Sequence, residues 1–223
     1  YLEVNPASTR EQSVQNIYEA MAMVDADFES ALQQYTNSQF TEAAATVAKD
    51  ISANEATYLA AARQLFHADA LREAGEDYPA MDAYDALLKN MSERMSFAAS
   101  ATLHAAELSR GRKEYIEAMN YYARGLKDYG LTLSEAEFNE GWDFIQKYKA
   151  IYENPMGALS GMMTDVRDRL NADDSGAETQ AIQEEIVAII EDLVATNPQS
   201  PNQPPPPPGS QPPEGEGEPE PQP

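Results

Sequence analysis

The chain has 223 residues, 42% of them apolar, and 38 acidic against 15 basic side chains give it a net charge of −23. Such acidity repels phosphate backbones and anionic lipid surfaces over a screening length of about 8–10 Å, which argues against a nucleic-acid partner. Absence of cysteine excludes disulfides, thiolate metal sites and a cysteine nucleophile, and no apolar run approaches the roughly 20 residues needed to span a bilayer.

Residues 1–8 read as an extended segment, after which Ser8 and Glu11 have the form of a capping box. Val14, Ile17, Met21, Val24, Phe28, Ala31 and Tyr35 then alternate spacings of three and four, predicting one long helix over 9–36 with a single apolar stripe. Asn37 and Ser38 interrupt it, and Phe40, Ala44, Val47 and Ile51 set a shorter helix. Asn54 is placed to cap a third helix through Tyr58, Leu59, Ala62, Leu65, Phe66 and Leu71. That helix stops near Gly75, with Pro79 in the first turn of the next.

No proline or glycine occurs from Ala80 to Arg110, so the pattern allows one unbroken helix there or a break near Asn90 to Ser92. A helix over 113–128 ends at Gly130, and Ser134 with Glu137 opens another through Trp142, Ile145, Tyr148 and Ile151 that halts at Asn154-Pro155. Residues 156–170 form a further helix. The link 171–176 resembles half of a calcium loop, but Ile182 stands where the bidentate glutamate belongs, so it reads as a turn and helix cap. A final helix over 177–195 carries Ile182, Ile186, Ile189 and Leu193, flanked by Val187, Ile190 and Val194. This wide aliphatic face must either seal the preceding helices or pair with another chain.

The last segment, 197–223, holds 12 of the 15 prolines and four glutamates without an aromatic or basic residue, the composition of a disordered spacer or of a polyproline docking strip. Three parts are therefore expected: 1–8, a helical domain over 9–196, and the tail. Because Tyr1 is not methionine, a removed signal peptide or anchor is also expected, and with it a periplasmic, cell-surface or secreted setting, the cytoplasm staying open.

A shift of 38 residues superposes eleven identities within a window of 30, from Ala60 on Ala98 through Arg72 on Arg110 and Tyr84 on Tyr122 to Lys89 on Lys127. Ala31 and Ala43, Ala68 and Ala80, and Ala106 and Ala118 are each 12 apart, the small residues that let two antiparallel helices approach beside a short turn. Val47, Tyr84 and Tyr122, four residues on, fill the space behind. The alanine-to-aromatic spacing, Tyr115-Ile116-Glu117-Ala118 and the ending Ala150-Ile151-Tyr152-Glu153-Asn154-Pro155 resemble the tetratricopeptide repeat. The resemblance covers residues 20–170. Its first-helix signature is absent, with Gln64, His67, Ala68 and Leu71 in those places, and the period exceeds the family's roughly 34 residues. It implies an all-α fold of antiparallel hairpins stacked as a short solenoid, with the last helix as cap, acting as a protein-binding scaffold. Another hairpin repeat and a long-helix bundle remain as alternative architectures.

Chemical signatures are sparse. No acidic residue stands three positions before His67 or His104, the spacing of di-iron bundles, and no phosphate loop, dinucleotide fingerprint or serine elbow occurs, so neither an enzyme nor a cofactor is expected. Met91 and Met95, with Met162 and Met163, admit a copper-binding bundle, though their places on helical stripes favour core filling. The repeat offers a more specific candidate, since Arg72 and Arg110 hold equivalent positions, each one turn after an acid, Asp69 and Glu107. Arginines one repeat apart on the first helices, which the resemblance places along a concave face, could hold a carboxylate or acidic peptide by forked hydrogen bonds; alternatively they form local pairs with those acids. The expected function is thus a non-enzymatic adaptor. The alternative is a self-assembling subunit using 9–36 and 177–195 as seams.

Overall fold

A computed structural model of the chain describes residues 9–49, 51 and 57–196, which form ten α-helices and no strand. Segment 1–8, the Ser8 and Asn54 caps and the tail 197–223 lie outside the described residues.

The helix expected over 9–36 is two, α1 (Arg10–Ala22) and α2 (Ala26–Thr36). Thr9 caps the first, accepting from the Gln12 amide at 3.2 Å. Asp25 explains the break, because its carboxylate accepts the amides of Asp27 and Phe28 at 3.1 and 3.0 Å and so starts a new helix. Arg63 engages the same carboxylate. Val24, expected on the stripe, is consequently 84% exposed, while Val14, Met21, Phe28 and Ala31 are buried.

There follow α3 (Phe40–Ala48), α4 (Tyr58–Glu73), α5 (Asp77–Asn90), α6 (Met95–Gly111), α7 (Tyr115–Tyr129), α8 (Glu135–Glu153), α9 (Pro155–Asn171) and α10 (Ala177–Thr196), with a short 3-10 turn at Gly130–Thr132. The 80–110 stretch is broken, at Met91 to Arg94. Ser134 and Glu137 make the expected capping box, and Asn154 caps α9 with Pro155 in its first turn.

Four helices end the same way. After α2, α4, α6 and α9 one residue takes a left-handed conformation: Ser38 (φ 60°), Gly75 (77°), Lys113 (65°) and Asp173 (58°). The next amide, of Gln39, Glu76, Glu114 or Asp174, then bonds back to the carbonyl five residues earlier at 2.9 Å. This closure satisfies carbonyls that a helix end leaves free. In the 171–176 link the acids also serve the turn, since Asp174 pairs with Arg169 and accepts the Gly176 amide.

Consecutive helices pack side by side, and all three alanine pairs are fully buried within the pairs α2 with α3, α4 with α5, and α6 with α7. Val47, Tyr84 and Tyr122 are buried too. At Gly141 of α8 a Cβ would come within 2.9 Å of the Tyr122 ring, so glycine permits the close approach of α8 to α7.

Two departures from neighbour-to-neighbour stacking matter. Helix α1 lies against both α4 and α6, with Tyr18 edge-on to Phe66 at 5.3 Å, and at its far end Arg10 donates to Glu137 of α8 at 2.5 Å. Helix α10 folds back on α9 and α7, burying Ile186 and Ile189. Of the stripe over 9–36, Val14, Met21, Phe28 and Ala31 are thus buried within the chain, while Val24 is not. Trp142, expected in the α8 stripe, is 51% exposed.

Candidate functional site

Helices α4, α6 and α8 each open a hairpin, and the candidate residues stand on them in a row. Arg72 of α4 donates to the adjacent Glu73 at 3.0 Å and reaches Glu107 of α6 at 3.6 Å. Arg110 of α6 in turn donates to Glu140 of α8 at 2.6 Å. Both arginines are thus engaged between successive leading helices, and neither forms the local pair with Asp69 or Glu107 that the spacing allowed. The order Arg72, Glu107, Arg110, Glu140 alternates in sign and is partly exposed along its length.

Asp69 is placed differently. Its Oδ1 accepts from Tyr84 Oη at 2.7 Å and lies 2.7 Å from His104 Nδ1, which must donate to the carboxylate. Three helices, α4, α5 and α6, meet at this one side chain. Burial, then the Asp69 charge, pushes the Tyr84 phenol far above its ordinary value of 10. Tyr18 of α1 is raised by the same two causes, and its hydroxyl is buried without a partner. The network orients the His104 imidazole and holds the helices in register. His67 is structural, lying 3.1 Å from the Ala44 carbonyl, and burial lowers its pKa.

Helix α1 covers part of the surface of α4 and α6, where Val14, Tyr18 and Met21 are buried, and the arginine row remains outside that cover. Sequence spacing located Arg72, Arg110, Asp69 and Glu107 on equivalent turns. It missed Glu140, Tyr84 and His104 as their partners, because each contact depends on the register between neighbouring helices rather than within one.

A second surface lies at the other end of the molecule. A groove of about 710 Å³ runs between α9 and α10, lined by Met156, Leu159, Met163, Ile190, Leu193 and Val194 together with Ser160, Thr164 and Arg167. Met156 is 78% exposed, Val194 54% and Ile190 39%. Polar latches fix α10 on its inner side: Tyr148 and Lys147 donate to Glu185 at 2.7 and 2.6 Å, and Tyr152 Oη and the Ile116 amide donate to Asp192 at 2.5 and 3.1 Å. The aliphatic face thus does half of what its width demanded, sealing the array on one side and leaving the other open.

Among the described residues no helix is long and apolar enough to cross a membrane, and no group of three or more histidine or acidic side chains is placed to hold a metal ion. Met91 belongs to the core and Met95 is exposed. No family model, curated protein or solved structure matches this chain.

Proposed function

We propose that the chain is a non-enzymatic protein-binding adaptor, built as a short tetratricopeptide-like array of hairpins with α10 as its cap, that holds a partner along the row of leading helices. The observation that supports this is the repetition of function-bearing side chains along with the backbone. Arg72 and Arg110, 38 residues apart, both reach from one leading helix to a carboxylate on the next. A partner segment with acidic and basic side chains in matching order can exchange these ion pairs for its own, the exchange being cheap because exposed pairs are worth only about 0–1 kcal/mol.

A photo-reactive residue at position 136, exposed one turn before Glu140 on α8, should crosslink the partner in cells that make the protein natively. Replacing Arg72 and Arg110 together by alanine, in the same labelled chain, should reduce that adduct at least tenfold with little change in thermal midpoint. An undiminished adduct overturns the proposal. An exported or envelope setting belongs to the same reading and is checked by fractionating cells that carry the tagged full-length protein. The self-assembly alternative is better supported at its C-terminal seam, since Val14, Met21, Phe28 and Ala31 of the other are buried within the chain.

A further inference from the structure

The α9–α10 groove has a floor, a length and a rim, and together they define an occupant. On α9 the lining runs from Met156 to Arg167, twelve residues whose ends are about 16 Å apart along the helix, or three turns. An occupant helix would present three or four apolar anchors at spacings of three and four over that length. Two methionines among the lining side chains give the floor unbranched groups that adapt to anchors of differing shape.

Charge decides what surrounds the anchors. Helix α10 carries Glu178, Glu184, Glu185, Glu191 and Asp192 and no basic residue. Lys113, Glu184 and Glu191 line the depression on the neighbouring face of α10 together with exposed Val187, and Glu184 accepts from Lys113 at 2.8 Å. The one charged group lining the groove, Arg167, donates twice to Asp168, at 2.9 and 2.8 Å. An apolar floor on a segment, 155–196, that holds nine acids against two bases, in a chain of net charge −23, repels a second copy of itself and attracts a cationic partner.

We infer that the groove is a docking site for an amphipathic helix with lysine or arginine flanking its apolar stripe, contributed by a different protein. This stands apart from the arginine row, so either can fail alone. The probe is a 15-residue amidated peptide with leucines at helical spacing and lysines on both flanks. It is compared, by fluorescence anisotropy on the full chain, with a glutamate counterpart and with a scrambled peptide of equal charge.

The lysine peptide should bind at least tenfold more tightly than either control, weakening as salt is raised. Ile190→Glu and Met163→Glu, both at exposed positions, should each lower its affinity tenfold or more while helix content and thermal midpoint hold. Equal binding of the scrambled peptide reduces the effect to net charge and overturns the inference, as does unchanged binding to both variants. Two other occupants are tested alongside. A dimer in sedimentation that Ile190→Glu converts to monomer assigns the groove to a second copy, and a tenfold affinity gain on truncation after Thr196 assigns it to the chain's own C-terminal segment. Either result overturns the inference.

Discussion

The hairpins α4–α5 and α6–α7 share eleven identities at a 38-residue offset, bury equivalent alanines and turn through the same left-handed closure, yet their polar interiors differ. In the first, Tyr84 donates to Asp69 and Asp69 also holds His104. In the second, Glu107 stands where Asp69 stood, Arg110 is turned toward Glu140, and the buried Tyr122 hydroxyl has no partner. Small-residue packing and turn geometry repeat because they depend on contacts within a hairpin. Hydrogen bonding does not: the within-hairpin bond from Tyr84 to Asp69 has no counterpart where Glu107 replaces the aspartate, and the His104 and Glu140 contacts depend on which helix comes next.

The sharpest test of the shared part is to overfill it. Ala80→Leu and Ala118→Leu put a branched side chain at positions with no exposure, and each should cost about 2–3 kcal/mol in urea unfolding. A large difference between the two would show that the hairpins are not built alike. The unshared part should separate under Tyr→Phe. Tyr84→Phe removes a hydrogen bond to a charged group and should cost about 1.5–2 kcal/mol, whereas Tyr122→Phe removes a hydroxyl that bonds nothing and should stay within about 0.5 kcal/mol of the parent.

Alkaline titration extends this comparison. Burial holds Tyr35 and Tyr122 protonated up to about 12, against an ordinary value of 10. Unfolded tyrosines ionise first, so this contribution to stability is complete below pH 10 and is lost as pH rises through 12. Unfolding midpoints should fall across that window, and less steeply in Tyr122→Phe. The smallest effect lies at the turns. Gly75→Ala places a Cβ in the left-handed region and should cost about 1 kcal/mol, with no neighbour within 4 Å to clash. Lys113→Ala, where a Cβ already occupies that conformation, should scarcely move the midpoint.

Much of this architecture was legible in local spacing. The alanine pairs, the Ser134 box, the Asn154-Pro155 stop and the turn at Gly75 each use residues a few positions apart. The break at Asp25 was legible in principle, because aspartate two and three residues ahead of Asp27 and Phe28 is a helix start, but the heptad stripe on both sides masked it. Ser38 and Asp173 were legible as breaks but not as left-handed turns, and Lys113 gave no warning, since residues with a Cβ seldom adopt left-handed backbone. The arginines' true partners, Glu107 and Glu140, could not be read at all: an ion pair across two helices needs their relative height, which no spacing within one helix encodes. The same holds for the groove, whose existence follows from where α10 settles.

The return of α1 also constrains how the chain reaches this state. Most packing is between neighbours in sequence and can form as the helices emerge, but Arg10 meets Glu137 across 127 residues. Helix α1 is synthesised before all the other described helices, yet its seat on α4 and α6 and its tie to α8 exist only once those are made. That closure, longer than the Ile116–Asp192 latch across 76 residues, raises the contact order of a largely local fold, and such closures slow folding because their loop entropy is lost before any contact compensates it. Docking of α1 therefore waits for α4 and α6 and, at Arg10, for α8, and until it occurs Val14, Tyr18 and Met21 remain open to water and to other chains.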